Sequence, residues 1–157
     1  MLTHFRLAAV AAAALAAASA SQAFAFWPFG ADARLDLAPA YGGVCEECDL
    51  SGRILTGARM THSNFSRTDF SNAVLTRADA SGSRFEGANF TDADLERTRF
   101  VRASLTRAQF HGARLVRANF AGADLRFSAG LTQQQLSAAC GDEDTRLPRG
   151  LHVPRCE

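Results

Sequence analysis

The residues best suited to chemistry in this chain are its cysteines and histidines. Cys45-Glu46-Glu47-Cys48 forms a C-x-x-C sequence, a spacing used by dithiol redox centres and by half of a zinc site. A redox motif of this kind belongs at the start of a helix in a βαβ unit, and no such alternation surrounds it. A structural zinc wants four ligands, and His62 is the one further donor nearby. A plain disulfide is the third reading. His62, His111 and His152 have no aspartate or nucleophile at a telling spacing, so no catalytic constellation emerges. The sequence points away from an enzyme and implies no cofactor and no metal.

The second set is cationic. Arg77, Arg97 and Arg117 are spaced by twenty residues, with Arg59, Arg99 and Arg102 close by in sequence. Whether such a spacing means anything depends on the elements that carry it.

Those elements are short and identical. From Cys48 to Phe127 the chain divides into sixteen five-residue units. Their central residues are Leu50, Leu55, Met60, Phe65, Phe70, Leu75, Ala80, Phe85, Phe90, Leu95, Phe100, Leu105, Phe110, Leu115, Phe120 and Leu125. Every leucine in this stretch is a centre, and every phenylalanine except Phe127. Two residues before each centre lies a small side chain, with Arg53 the single exception. Residues two apart in an extended segment point to one side. Each unit therefore turns one small and one large residue inward. The residue between them, often Asp or Asn, faces out, and the last two residues, often ending in Gly, turn the chain. A five-residue beat fits neither the helical nor the strand period; it describes a chain winding around a filled axis.

The units ANFTD, ADLER, ANFAG and ADLRF resemble the A-[DN]-[LF]-x-x motif of pentapeptide repeat proteins. The resemblance implies an all-β solenoid, a right-handed quadrilateral β-helix of about four coils, with four units to each coil. Residues twenty apart then stack about 4.8 Å from one another, as paired strands do. One core column is Leu50, Phe70, Phe90, Phe110 and a second is Leu55, Leu75, Leu95, Leu115. The others are Met60, Ala80, Phe100, Phe120 and Phe65, Phe85, Leu105, Leu125. Arg77, Arg97 and Arg117 fall in one corner column. Like charges at this distance repel by roughly 1 kcal/mol even in water, so the column calls for an answering anion or for the carboxylates of Asp79, Asp94 and Glu96. With Arg99 and Arg102, this corner is the candidate surface for an anionic partner.

A short solenoid needs covered ends. At residues 128–157 the sequence predicts a C-terminal cap. Thr132 is placed to N-cap a helix of about eight residues, Gln135 to complete a capping box, Leu131 to staple to Leu136, and Gly141 to stop it. Cys140 and Cys156 flank a loop beyond. Four cysteines allow three pairings, but Cys45 and Cys48 lie at the opposite end of the rod, so Cys140–Cys156 is expected, with Cys45–Cys48 as a possible second disulfide. Arg53 occupies an inward place, where an unpaired charge is costly; either the first coil is irregular or the side chain escapes through the open end.

Residues 26–47 read as an N-terminal linker or cap. Before them, Met1–Arg6 is a short positive head, Leu7–Ala20 an alanine-rich apolar run, and Ala23-Phe24-Ala25 an A-x-A cleavage signal. This is the pattern of a secretory signal peptide over residues 1–25, too short to span a bilayer, leaving no membrane span after cleavage. The expectation is an exported protein, periplasmic or secreted. The repeat stretch 48–127 holds 12 Arg against 8 acidic residues, a net charge of +4. The best-known role of the resembled family is DNA mimicry by acidic rods that protect DNA gyrase. A positive, exported rod departs from that role, and no nucleic-acid partner is expected. The function read from sequence is a non-enzymatic structural or protein-interaction scaffold in the cell envelope. Its partner would be an unidentified protein or an anionic envelope component. The competing readings are an anion- or glycan-binding surface on the Arg corner, and a redox or metal module on Cys45 and Cys48.

Overall fold

The computed structural model describes residues 43–157. Expectations for residues 1–42, including the signal peptide and most of the N-terminal linker, lie outside the described residues.

The backbone answers the question of winding directly. Each outward residue forms a parallel bridge with the residue twenty positions on, from Val44 with Asn64 to Gln109 with Ala129. Twenty residues at five per unit close one circuit of four sides. The ladder uses every level of the unit. The N–H of Leu75 donates to the Asp94 carbonyl at 2.8 Å, the Asp94 N–H donates back to Ala73 at 2.9 Å, and the Arg77 N–H donates to Glu96 at 2.9 Å. Such pairing leaves few backbone groups to solvate, which is what permits so thin a rod.

The corners explain the rest of the unit. The second turn residue has positive φ throughout, as at Arg97 (58°) and Gly82 (67°). The N–H of the following small residue closes the turn on the centre's carbonyl, as Ala93 does on Phe90 at 3.1 Å. Positive φ at the third position alone marks a type II turn. The outward Asp and Asn hold these corners. Asn89 Oδ1 accepts from the Thr91 N–H at 3.1 Å and from its hydroxyl at 2.6 Å. Asp79 Oδ1 accepts from the Ser81 N–H at 3.1 Å and its hydroxyl at 2.6 Å. These side chains face outward, as their place in the unit predicts, but their work is to satisfy the turn.

Inside, the large centres from Met60 to Leu125 are buried. Phenylalanines stack along columns and meet edge-on across them. Phe70 and Phe90 lie 5.1 Å apart at 8°, Phe100 and Phe120 5.4 Å apart at 3°, while Phe90 meets Phe100 at 75°. Ser63, Thr68, Ser83 and Thr98 are buried in the small inward column. Their hydroxyls reach carbonyls, as Thr98 Oγ1 does to Leu75 at 2.7 Å. Among the described residues no buried side-chain nitrogen or oxygen lacks a hydrogen-bond partner.

Both ends differ from the sequence reading. The ladder begins one unit earlier than Cys48, at Val44, with Cys45 as a buried centre. A cysteine is too small to register as a centre in sequence, and here it is bonded to Cys48 with Cα atoms 5.4 Å apart. Arg53 is exposed. At the other end the helix α1 spans only Gln133–Ser137, with the Thr132–Gln135 capping box in place. It stops before Gly141 because residues 138–140 are drawn into the ladder. Arg117 N–H donates to Ala138, Cys140 N–H to Ala118, and Phe120 N–H to Cys140. Leu136 is buried and Gln135 Nε2 donates to the Phe110 and Ala113 carbonyls at 3.0 and 2.9 Å. The helix thus meets carbonyls that a further unit would have met. Arg146 then bridges Asp124, and Cys140 is bonded to Cys156 with Cα atoms 4.8 Å apart.

Candidate functional site: the arginine corner

The corner residues at positive φ form four columns along the rod, and three of them relieve their own crowding. In one, His62 lies above Gly82, where a Cβ would come within 3.0 Å of the imidazole, and Arg102 lies above Gly122. In a second, Asp92 overlies Gly112. In a third, Glu47 and Arg67 are opposite charges joined at 2.8 Å, and Gly87 follows. The fourth is Gly57, Arg77, Arg97, Arg117. Its three arginines have φ of 60°, 58° and 57°, a region that resists a Cβ. They succeed one another with neither glycine nor carboxylate between them in the column.

The flanking acids answer only Arg97 in this column. Glu96 comes no closer to Arg97 than 3.8 Å and is bonded to Arg114, which also meets Asp94 at 3.4 Å. Asp79 bridges Arg59 and Arg99 through the backbone, but its carboxylate is engaged by Ser81. Among the described residues, Arg77, Arg99, Arg102 and Arg117 form no ion pair, and all four are exposed. Of the balance expected from Asp79, Asp94 and Glu96, only the Glu96 contact reaches the column, at Arg97; the rest is spent within the turns and on Arg114. Arg99 lies on the adjoining face and Arg102 beyond it, so the five predicted surface residues share one side of the rod.

The other candidates separate. All four cysteines are bonded, and none is free. Among the described residues no cluster of His, Cys, Asp and Glu is arranged to hold a metal ion. His62 and His111 sit on corners, over Gly82 and Gly130. Sequence reasoning missed Asp142 and Thr145. Asp142 Oδ1 accepts from the Gly122 N–H at 2.8 Å, and the Thr145 hydroxyl donates to the Phe120 carbonyl at 3.0 Å. The Gly122 hydrogen bond, with help from Thr145 and Asp144, holds the Asp142 carboxyl below its usual range. The Arg126 guanidinium does the same for Asp124, and Asp124 in turn raises Arg126. Asp142 and Thr145 stand in for a next unit, and only the five-residue beat lost after Gly130 hints at it.

A family profile described as pentapeptide repeats matches in overlapping segments from residue 44 to residue 128, with eight copies. That is more than half of the chain. The chain belongs to the pentapeptide repeat family. A solved structure of a pentapeptide repeat protein from the cyanobacterium Cyanothece 51142 is similar at 19% identity and a TM-score of 0.61, over 68% of this chain and 85% of that one. This likeness shows the fold, the right-handed quadrilateral β-helix of these proteins. HetL, a pentapeptide repeat protein involved in heterocyst differentiation regulation from Nostoc sp. strain PCC 7120, matches at 27% identity and a TM-score of 0.35. The match covers 67% of this chain and about half, 49%, of HetL. QnrB1, a plasmid-mediated fluoroquinolone resistance protein, matches at 20% identity and a TM-score of 0.31, over 71% of this chain and 79% of that one. No curated protein matches this pentapeptide repeat chain by sequence.

Proposed function

We propose that this pentapeptide repeat protein is an exported, non-enzymatic scaffold that works in the periplasm or outside the cell, presenting the faces of a short rod of about four coils to a partner. The observation that carries the reading is the state of the cysteines. All four are joined, one disulfide at each end of the ladder, an arrangement suited to an oxidising compartment. The A-x-A signal at Ala23–Ala25 supports the same reading. The helix Gln133–Ser137 serves as the C-terminal cap that keeps the last coil from acting as an open edge. Pentapeptide repeat proteins are generally structural or interaction modules, and the filled interior of this one leaves its outer surface for function. A gyrase-protecting role is disfavoured by the +4 charge of residues 48–127.

The test is fractionation of cells expressing the full chain, with N-terminal sequencing of the product. The expected result is a periplasmic or extracellular protein that begins at Phe26 and has no free thiol. A cytosolic, uncleaved, reduced protein would overturn the proposal.

A further inference from the structure

We propose that the corner through Arg77, Arg97 and Arg117 is a docking edge for a linear acidic polysaccharide, whose carboxylates the guanidiniums take in succession. The column is costly as built. Three bulky residues follow one another in left-handed backbone, whereas in each of the other three columns a glycine limits such a run to two among the described residues, and like charges are stacked about 4.8 Å apart. The Glu47–Arg67 pair shows that side chains twenty residues apart at a corner can touch. Where the fold sought stability it therefore placed opposite charges; at this corner it placed three of one sign. Arg77 and Arg117 have no ion pair among the described residues, and Arg97 shares Glu96, at 3.8 Å, with Arg114.

The shape selects the ligand. A corner is convex and cannot enclose a small anion, so affinity must come from several weak contacts along an extended chain. Guanidinium forks match carboxylates in bidentate fashion. Sites for single-stranded nucleic acid interleave basic groups with aromatic platforms; here every phenylalanine from Phe65 to Phe120 is buried, and Phe127 stands at another corner. A folded protein partner wants an apolar centre, but among the described residues the exposed large apolar side chains are scattered, with Val116 next to this corner and Ile54 on the face before it. A hydrophilic polyanion that offers charge without stacking or apolar surface is what remains. Arg59, Arg99 and Arg102 widen the track on one side.

This inference rests on the exported-scaffold reading only for the extracellular character of the ligand. Binding in vitro does not depend on export, so the two can fail separately. The experiment measures binding of the purified, disulfide-bonded protein to polygalacturonate, neutral dextran, oligo-dT and polyglutamate across a salt series. The triple variant Arg77→Gly/Arg97→Gly/Arg117→Gly keeps the backbone that glycine already adopts at Gly57. An equal loss of charge elsewhere, Arg67→Gly/Arg107→Gly/Arg149→Gln, is the control. The corner variant should bind polygalacturonate about tenfold more weakly, with a slope of log affinity against log salt flatter by about two, and the control should change it less than about threefold. Equal losses in both variants, no binding of polygalacturonate at low salt, or tighter binding of oligo-dT or polyglutamate would overturn the proposal. Should the triple variant melt early, Arg97→Gln carries the test, with an expected loss of about twofold to threefold.

Discussion

Removing the Phe90 ring should cost this rod more than any surface change. Phe90 is fully buried. Its ring is stacked between Phe70 at 5.1 Å and Phe110 at 5.3 Å, and it meets Phe85 at 5.6 Å and Phe100 at 5.8 Å. Burying an aromatic side chain and then deleting it costs about 3–5 kcal/mol in protein cores, the larger values where neighbours cannot collapse. Collapse is resisted here because the backbone on either side is held by the ladder. Phe90 N–H donates to Gln109 at 2.8 Å, and Asn89 N–H donates to Thr68 at 3.0 Å. Four aromatic contacts, each of about 0.5–1.5 kcal/mol beyond area burial, place Phe90→Ala at the upper end, about 5 kcal/mol. Phe90→Leu should cost only about 1–1.5 kcal/mol, because leucine already fills the same inward place at Leu95 and Leu105. Phe127→Ala should lie within about 0.5 kcal/mol of zero, since Phe127 is 73% exposed. Urea melts of the oxidised protein at neutral pH, followed by far-ultraviolet circular dichroism, give these differences if the slope is unchanged. A loss below about 2 kcal/mol for Phe90→Ala would mean that the column relaxes, and the rigid-ladder argument would fail.

Gly130→Ala and Gly52→Ala separate steric cost from backbone cost, because both glycines have positive φ, 76° and 63°. A Cβ at Gly130 would come within 2.5 Å of the His111 backbone nitrogen, whereas at Gly52 it meets nothing within 4 Å. Thermal melts should show about 1 kcal/mol lost at Gly52 and at least twice that at Gly130; equal losses would refute the crowding. Replacing Cys140 and Cys156 by Ser, across a sequence separation of 16, should cost about 3 kcal/mol, and the same change at Cys45 and Cys48 about 2 kcal/mol. The reverse order in denaturant melts would argue against loop closure as the cause. Asp142 and Asp124 have lowered folded pKa values, so their stabilisation is present above the unfolded value near 3.9 and is lost as pH falls through the folded one. The melting temperature should fall below about pH 4, less steeply in Asp142→Asn; identical pH profiles would remove Asp142 from the account.

The interior was legible in sequence because one constraint acts on every unit. Two inward places, one small and one large, recur at fixed spacing, and nothing else in the chain competes with that pattern from Leu55 to Leu125. The termini were harder for a physical reason: there the pattern is replaced rather than repeated. Cys45 fills a centre with a bonded sulfur instead of a ring. The five-residue helix, Asp142 and Thr145 satisfy the last coil with side chains, and no periodicity announces them. The arginine corner was visible as a spacing of twenty, but its electrostatics were not. Sequence offered Asp79, Asp94 and Glu96 as counter-charges, and only coordinates show Asp79 turned to Ser81 and Glu96 to Arg114.

The interior and the surface of this rod repeat on different clocks. The core recurs every five residues, but a given edge recurs only every twenty. Losing or gaining a single unit would leave each large residue pointing inward and each corner intact, while every side chain downstream moved round to the next face. With the change between Arg77 and Arg97, Arg97 and Arg117 would leave the edge of Arg77, while the inward pattern stayed the same. Changes of one, two or three units therefore reshuffle what the rod displays, and only a change of four preserves it. One core pattern is therefore compatible with many surfaces, and the line of three arginines exists only because the units between them number a multiple of four.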